Sequence, residues 1–260
     1  MSVLETIFAE READVERAKA VFPLDALKAH IAESHPPRGF AESIRNRNKP
    51  VGLIAEIKPS SPSKGEIKKD LDAALLAQHF AWAGAHALSV LTEPRHFGGS
   101  KENLVAAKTA CPLPVLRKDF IADPYQVYES RSWGADAILL IVAALEADRL
   151  RKLYDLAKEL ALDVLVEVHT EQEALRALEL KADLIGINNR DLVTLETDLL
   201  ATETILPLIK GKAVCISESA IETHADVARV ERAGADGVLV GTVFCASEEP
   251  ETKVKEVMGW

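Results

Sequence analysis

From residue 53 onward the chain alternates, eight times in succession, between short apolar runs of strand length and longer amphipathic segments of helix length. The runs are LIAEIK (53–58), ALSVLT (87–92), PVLRKDF (114–120), AILLIV (137–142), DVLVEV (163–168), LIGINN (184–189), AVCISES (213–219) and GVLVGT (237–242). Most are almost continuously apolar, as parallel strands covered on both faces must be. The segments between them, among them LDAALLAQHFAWAG, EADRLRKLYDLAKELA and THADVARVERAG, read as the covering helices. Gly84, Gly134 and Gly234 stand where three of these helices should stop, because glycine tolerates the left-handed conformation that ends a helix. The texts around them, AWAGAHALSV, SWGADAILLI and RAGADGVLVG, form a weak internal repeat of helix end, glycine and strand.

Two architectures accept eight strand–helix units. A doubly wound sheet places its ligand in a crevice at a topological switch point. A closed barrel gathers the C-terminal ends of all its strands around one mouth. The polar residues favour the barrel. Glu56 and Lys58 share a face of the first strand, Lys118 and Phe120 a face of the third, and Asn188 and Arg190 a face at the end of the sixth. Glu167 and Glu218 lie near the ends of the fifth and seventh. Any one of these could be a solvated, loop-facing group. Isolated charges are costly to bury, so five strands bearing them at the same end are explained economically by one active-site mouth. The expected fold is α/β, a single (β/α)8 TIM barrel over residues 1–260. Residues 1–46 are expected to be an N-terminal helical extension, with helices near 2–21, 24–33 and 40–46 and a loop at Pro36-Pro37, covering one face or the bottom of the barrel.

The net charge of −10 makes nucleic acid an unlikely partner, and an anionic substrate would need a local positive site. Three widely spaced cysteines without CxxC give neither a disulfide framework nor a zinc pattern, and Cys215 is expected to be a small buried hydrophobe. No apolar run approaches the roughly 18 residues needed to span a membrane. The acidic N-terminal segment lacks a signal-peptide core, so a cytoplasmic location is expected. The histidines form no cluster, and HExxH, GxSxG and GxGxxG are missing. Chemistry is therefore expected from Lys, Glu, Asn and Arg, with no metal and no cofactor. Ser219, ending the seventh run, and Gly241-Thr242, ending the eighth, stand where barrels commonly hold phosphate with backbone N–H groups and a short extra helix. The KPSSPSKG loop (58–65), with Ser61, adds to the same mouth. Gly241 alone could be no more than a tight turn.

The segments IAEIKPSSPSKG (54–65), LTEPRHFGGS (91–100), PVLRKDF (114–120), LVEVHTE (165–171), GINNRDL (186–192) and ISES (216–219) resemble, in order, the signature segments of the indole-3-glycerol-phosphate synthases. The resemblance covers almost the whole chain. It implies a phosphorylated small-molecule substrate, 1-(2-carboxyphenylamino)-1-deoxyribulose 5-phosphate, and ring closure with loss of carbon dioxide and water. It implies that Lys118 is the general acid of the condensation and Glu167 the base or acid of the later dehydration. Lys58 contacts substrate and could itself be an acid, and the division of labour between the two lysines stays open. Glu56 orients these lysines, Asn188 and Glu218 hold substrate hydroxyls and the intermediate, and Arg190 lies near the substrate carboxylate. Phe97 and Phe120 pack on the anthranilate ring. Ser219, Gly241 and Thr242, with Ser61 nearby, match phosphate-binding positions. A monomer or weak homodimer is expected.

Two departures stand out. The family usually has glycine where this chain has Ala220, which is strained if that position needs a positive φ. TVFCAS follows Gly241 where the family often has a Met-Arg pair. For proton delivery, the Lys118 pKa is expected to be lowered toward neutrality by Lys58 or by burial. Three other readings stay open: a Schiff-base aldolase using Lys118, a barrel isomerase of a neighbouring step, and a phosphate-binding barrel without turnover.

Overall fold

The computed structural model describes residues 3–191 and 194–260, so Ser2 of the first expected helix and Leu192 of GINNRDL lie outside the described residues. Eight parallel strands close into a barrel: β1 (Gly52–Ile57), β2 (Ala87–Leu91), β3 (Val115–Lys118), β4 (Ala137–Ile141), β5 (Asp163–Val168), β6 (Leu184–Asn188), β7 (Val214–Glu218) and β8 (Gly237–Val240). Neighbours follow chain order, and β1 closes the ring by pairing Gly52 with Gly237 and Ala55 with Val240 of β8. Each expected run matches one strand, β1 beginning one residue earlier, at Gly52. Lys58 lies just past β1, and Asp119 and Phe120 lie past β3, so these side chains hang from strand ends rather than from the sheet itself.

Helices α4 (Ala73–Trp82), α5 (Lys101–Ala110), α6 (Pro124–Ser132), α7 (Ala147–Glu159), α8 (Glu171–Glu179), α9 (Leu200–Ile209) and α10 (His224–Ala233) follow the first seven strands. After β8 come a short helix, α11 (Thr242–Cys245), and the final α12 (Pro250–Met258). Gly84, Gly134 and Gly234 all have positive φ, at 95°, 86° and 106°, as their helix-ending role requires.

The internal repeat has a physical content beyond its glycines. Two residues after each glycine stands an acceptor side chain. His86 Nδ1 takes the Leu53 amide (3.1 Å), Asp136 the Val115 amide (2.7 Å) and Asp236 the Cys215 amide (3.0 Å). Each acceptor at the start of one strand thereby satisfies a donor at the start of the strand before it. Burial, with Arg47 and Lys49 nearby, lowers the His86 pKa, in keeping with a neutral ring that can accept. Cys215 is fully buried, as expected of a small hydrophobe.

The N-terminal extension comprises α1 (Val3–Val21), α2 (Leu24–Glu33) and α3 (Phe40–Arg45). It holds the barrel from both ends. At the bottom, Ile44 of α3 is buried against Gly52 and Gly237, at the starts of β1 and β8. The Arg38 and Ala41 amides donate to Asp136 and Asp163, beside β4 and at the start of β5. At the top, Arg11 of α1 clasps the Asp119 carboxylate past β3 with two hydrogen bonds of 3.0 and 2.8 Å. Phe8 meets the Phe120 ring edge-on at 5.6 Å. The expectation of a cover over one face or the bottom is thus met by α3, while α1 lies over the functional end.

Candidate active site

Every candidate catalytic or substrate-binding residue named from the sequence lines one cavity at the C-terminal ends of the strands. Glu56, Lys118, Glu167, Asn188 and Glu218 form its floor from β1, β3, β5, β6 and β7. Lys58, Ser61, Phe97, Phe120, Arg190, Ser219, Gly241 and Thr242 line it from the connections and from the start of α11.

Lys118 is the centre of charge. Its Nζ lies 3.4 Å from Glu167 Oε2 and 3.4 Å from Glu218 Oε2. Lys58 Nζ lies 2.6 Å from Glu56 Oε1, and Ser89 donates to the other Glu56 oxygen at 3.4 Å. Burial disfavours the Lys118 ammonium, but the carboxylates of Glu167, Glu218 and Glu56 outweigh it and hold the pKa well above the ordinary lysine value. The expected lowering toward neutrality is therefore corrected. Lys58 is paired with its own carboxylate, and three glutamates dominate the field at Lys118.

The carboxylates divide. Burial opposes ionisation of Glu167, yet Lys118, His169 and a hydrogen bond from Asn188 outweigh burial and hold its pKa well below the usual range. Glu218 goes the other way. Burial raises it and Glu167 and Glu56 add to the rise against Lys118, so that it is pushed up to about 7. Neither Glu218 oxygen has a well-formed hydrogen bond. The space for this carboxylate comes from Gly186 on β6, where an added Cβ would sit 1.9 Å from Glu218 Oε1. Gly241 has an analogous role. Its Cβ would lie 2.7 Å from Glu56 Oε1, so glycine is required there by the approach of Glu56.

The strand ends are locked from behind. The Asn189 amide donates to Ser217 Oγ and to the Glu218 carbonyl, both at 2.9 Å, while its Oδ1 accepts from the Thr202 amide and hydroxyl. This buried network fixes β6 against β7, and with them Asn188 and Glu218. Arg117, which alternates with Lys118, is fully buried, pairs with Asp119 and Glu129 at 2.8 Å and stacks on Trp133 at 4.0 Å. Asp119 is buried, but Arg117 and Arg11 outweigh burial and hold its pKa down to about 2. Its contribution to stability is then present above the ordinary carboxylate pKa and is lost only as pH falls through about 2.

One wall is aromatic: Phe97 and Phe120 lie 5.8 Å apart, and Glu93 holds the Phe97 loop by accepting the His96 and Phe97 amides at 2.7 and 3.0 Å. Arg190 donates to the Leu195 carbonyl at 2.7 Å while lining the cavity. Across the mouth, Ser219 and Ala220 both have positive φ, 66° and 61°. Ala220 therefore carries the strain anticipated for a non-glycine residue. Replacing it with glycine is expected to stabilise the protein by about 1 kcal/mol, read as a higher urea midpoint at unchanged slope. An unchanged midpoint would show that the loop relaxes without cost.

Sequence reasoning missed Val3, Leu4 and Ile7 of α1, which line the cavity because α1 lies over the mouth. Nothing in an amphipathic helix says which end of a barrel it covers. It also passed over His169, which contacts Glu167 through its side chain.

The comparisons with known proteins agree with this geometry. A sequence model of the indole-3-glycerol phosphate synthase family matches residues 4–257. A relative of that name from Dehalococcoides mccartyi (strain CBDB1) is 47% identical over 98% of this chain and 100% of its own length. Another from Kineococcus radiotolerans is 43% identical over 99% of this chain and 95% of its own. Among solved structures, a 3-hexulose-6-phosphate synthase superposes with a TM-score of 0.63 at 18% identity, over 80% of this chain and 99% of its own, which speaks to the barrel alone. With the family pattern running almost from end to end, this chain belongs to the indole-3-glycerol phosphate synthase family.

Proposed function

We propose that the chain converts 1-(2-carboxyphenylamino)-1-deoxyribulose 5-phosphate to indole-3-glycerol phosphate, a carboxy-lyase step of tryptophan biosynthesis. The observation that carries this reading is the Lys118 ammonium set between Glu167 and Glu218 on the floor of a cavity with an aromatic wall. The aromatic carbon bearing the carboxylate attacks the ketone, whose oxygen takes a proton from Lys118. Carbon dioxide leaves, restoring the ring electrons. Loss of the hydroxyl as water then needs a proton delivered to oxygen and one removed by a carboxylate, for which the ionised Glu167 is placed. Lys58, oriented by Glu56, reaches the substrate from the first strand. Asn188 and Glu218 hold hydroxyls and the intermediate. Arg190 faces the substrate carboxylate, Phe97 and Phe120 pack on the anthranilate ring, and Ser219, Gly241, Thr242 and Ser61 hold the phosphate. Anchoring the phosphate brings the two reacting ends together as a near-attack conformer.

A Schiff-base nucleophile must be a neutral amine, and the three carboxylates keep Lys118 charged. They favour acid catalysis over imine formation. Among the described residues no helix is long and apolar enough to cross a membrane. A cytoplasmic enzyme, one domain over residues 1–260 and a monomer or weak homodimer, belongs to the same reading.

Substrate labelled with carbon-13 in its carboxylate tests the reaction. Labelled carbon dioxide should appear in step with indole-3-glycerol phosphate. Label retained in the product, or a borohydride-trapped adduct on Lys118, would contradict it.

The pKa of Glu218 adds a pH dependence. Three carboxylates against two ammonium groups leave one negative charge in excess, removed when Glu218 is protonated. As pH rises through about 7 Glu218 ionises, and the cluster repels an anionic ligand. The Kd of the product is expected to rise by roughly threefold to tenfold between pH 6 and pH 8 in wild type. In Glu218→Gln the rise should be smaller by most of that factor. Equal slopes in the two proteins would exclude Glu218 as its source.

A further inference from the structure

Glu167 has a basic side chain beside each oxygen, and on the His169 side the contact is electrostatic, since His169 Nε2 is buried without a well-formed hydrogen bond. Lys118 Nζ stands 3.4 Å from Oε2, and His169 Nε2 stands 3.4 Å from Oε1. The other ring nitrogen, His169 Nδ1, lies 3.3 Å from Glu173 Oε2, which also accepts the His169 backbone amide at 2.8 Å. Glu173 sits in the first turn of α8, where its own amide donates to Thr170, the N-cap. The arm therefore runs from a helix terminus, through an imidazole, to the carboxylate at the end of β5.

Both ring nitrogens face carboxylate oxygens. A neutral imidazole would turn a lone pair toward one of them, whereas an imidazolium sets positive charge beside both. The charged groups that act on the ring are Glu167, from β5, and Glu173, from α8. Glu167 in turn faces Lys118 and the Asn188 amide, and its charge bears on Glu218.

We propose that His169 is a positioning residue for Glu167: its imidazolium, anchored through Glu173 to α8, fixes the carboxylate and keeps it ionised when Lys118 turns to the substrate. The need follows from the geometry. If Lys118 delivers its proton to substrate, Glu167 loses its main cation while still buried, and a buried carboxylate without a cation takes up a proton. A proton on Glu167 would block its use as a base. His169 keeps a positive charge on the opposite oxygen throughout. Burial works against that charge, but Glu167 and Glu173 outweigh it and raise the His169 pKa to about 10. The stability gained from the raised pKa is therefore fully present below the ordinary histidine value, and lost as pH rises through about 10.

This inference rests on the reading of Glu167 as the acid–base group of dehydration, and the experiment separates the two. The pH profiles of kcat and KM are measured for wild type, His169→Asn, Glu173→Gln and Glu167→Gln, each checked for native circular dichroism. In His169→Asn kcat is expected to fall by about tenfold at pH 7, with KM within about twofold. The acid limb of kcat should move up by about one pH unit or more. Glu173→Gln should move it in the same direction by less. An unmoved limb with kcat within twofold of wild type would overturn the positioning role, as would a rise in KM alone. Wild-type turnover in Glu167→Gln would instead sink the catalytic reading beneath it. Should His169→Asn not fold, nitrogen-15 resonances of the wild-type ring decide: both nitrogens protonated at pH 8 supports the proposal, and a neutral tautomer at pH 8 overturns it.

Discussion

Replacing Lys118 with alanine is expected to lower kcat by about a thousandfold or more, within or beyond the range usual for losing a general acid. The deficit should lie in kcat rather than KM, because the Lys118 proton is needed as charge develops on the ketone oxygen. The barrel should persist at reduced stability. Removing one member of a buried charge cluster commonly costs about 3–5 kcal/mol, but Glu218, already pushed up to about 7, can take up a proton and relieve the repulsion. Lys118→Arg separates charge from chemistry. It keeps a cation among the three carboxylates, yet a guanidinium hardly gives up a proton, so stability should recover and turnover should not. Turnover near the wild-type rate in folded Lys118→Ala would remove Lys118 from the mechanism.

Replacing Glu167 with glutamine should divide the reaction in time. Ring closure and decarboxylation need the Lys118 ammonium, which keeps Glu218 at 3.4 Å as a counter-ion in this variant. Dehydration needs a base that glutamine cannot supply. Substrate should therefore disappear faster than indole fluorescence grows, with indole formation slowed by about 100-fold or more and a ring-closed, hydroxylated species accumulating. Rapid-quench chromatography coupled to mass spectrometry reads all three species. Equal slowing of substrate loss and indole formation would assign Glu167 to the first step or to binding.

The barrel was legible because its strands are buried on both faces, which compresses each into an apolar run that no surface strand would show. The polar exceptions, Glu56, Lys118, Glu167, Asn188 and Glu218, were conspicuous for the same reason. What the sequence left hidden depends on through-space neighbours. Glu167 and Glu218 look alike as strand-end glutamates, and only their distances from Lys118, His169, Asn188 and one another drive their pKa values apart. The expected lowering of Lys118 failed for this reason: Lys58, at the same mouth, is taken up by Glu56, 2.6 Å away. Gly186 and Gly241 had no reading as spacers for carboxylates, since the side chains they admit belong to other strands. Ala220 was the reverse case. Its strain was anticipated from the glycine usual to the family at that position, and its φ of 61° meets the condition.

The most direct test of the central claim, that the Lys118 cluster closes the indole ring, is turnover by the purified protein with and without EDTA. Indole fluorescence is followed after addition of the carboxyphenylamino-deoxyribulose phosphate to wild type and to Lys118→Ala. The account predicts the same rate with and without the chelator in wild type, and a rate about a thousandfold lower or more in folded Lys118→Ala. No fluorescence from folded wild type that still binds the compound would contradict it. So would a signal that EDTA abolishes, or one that survives unchanged without Lys118.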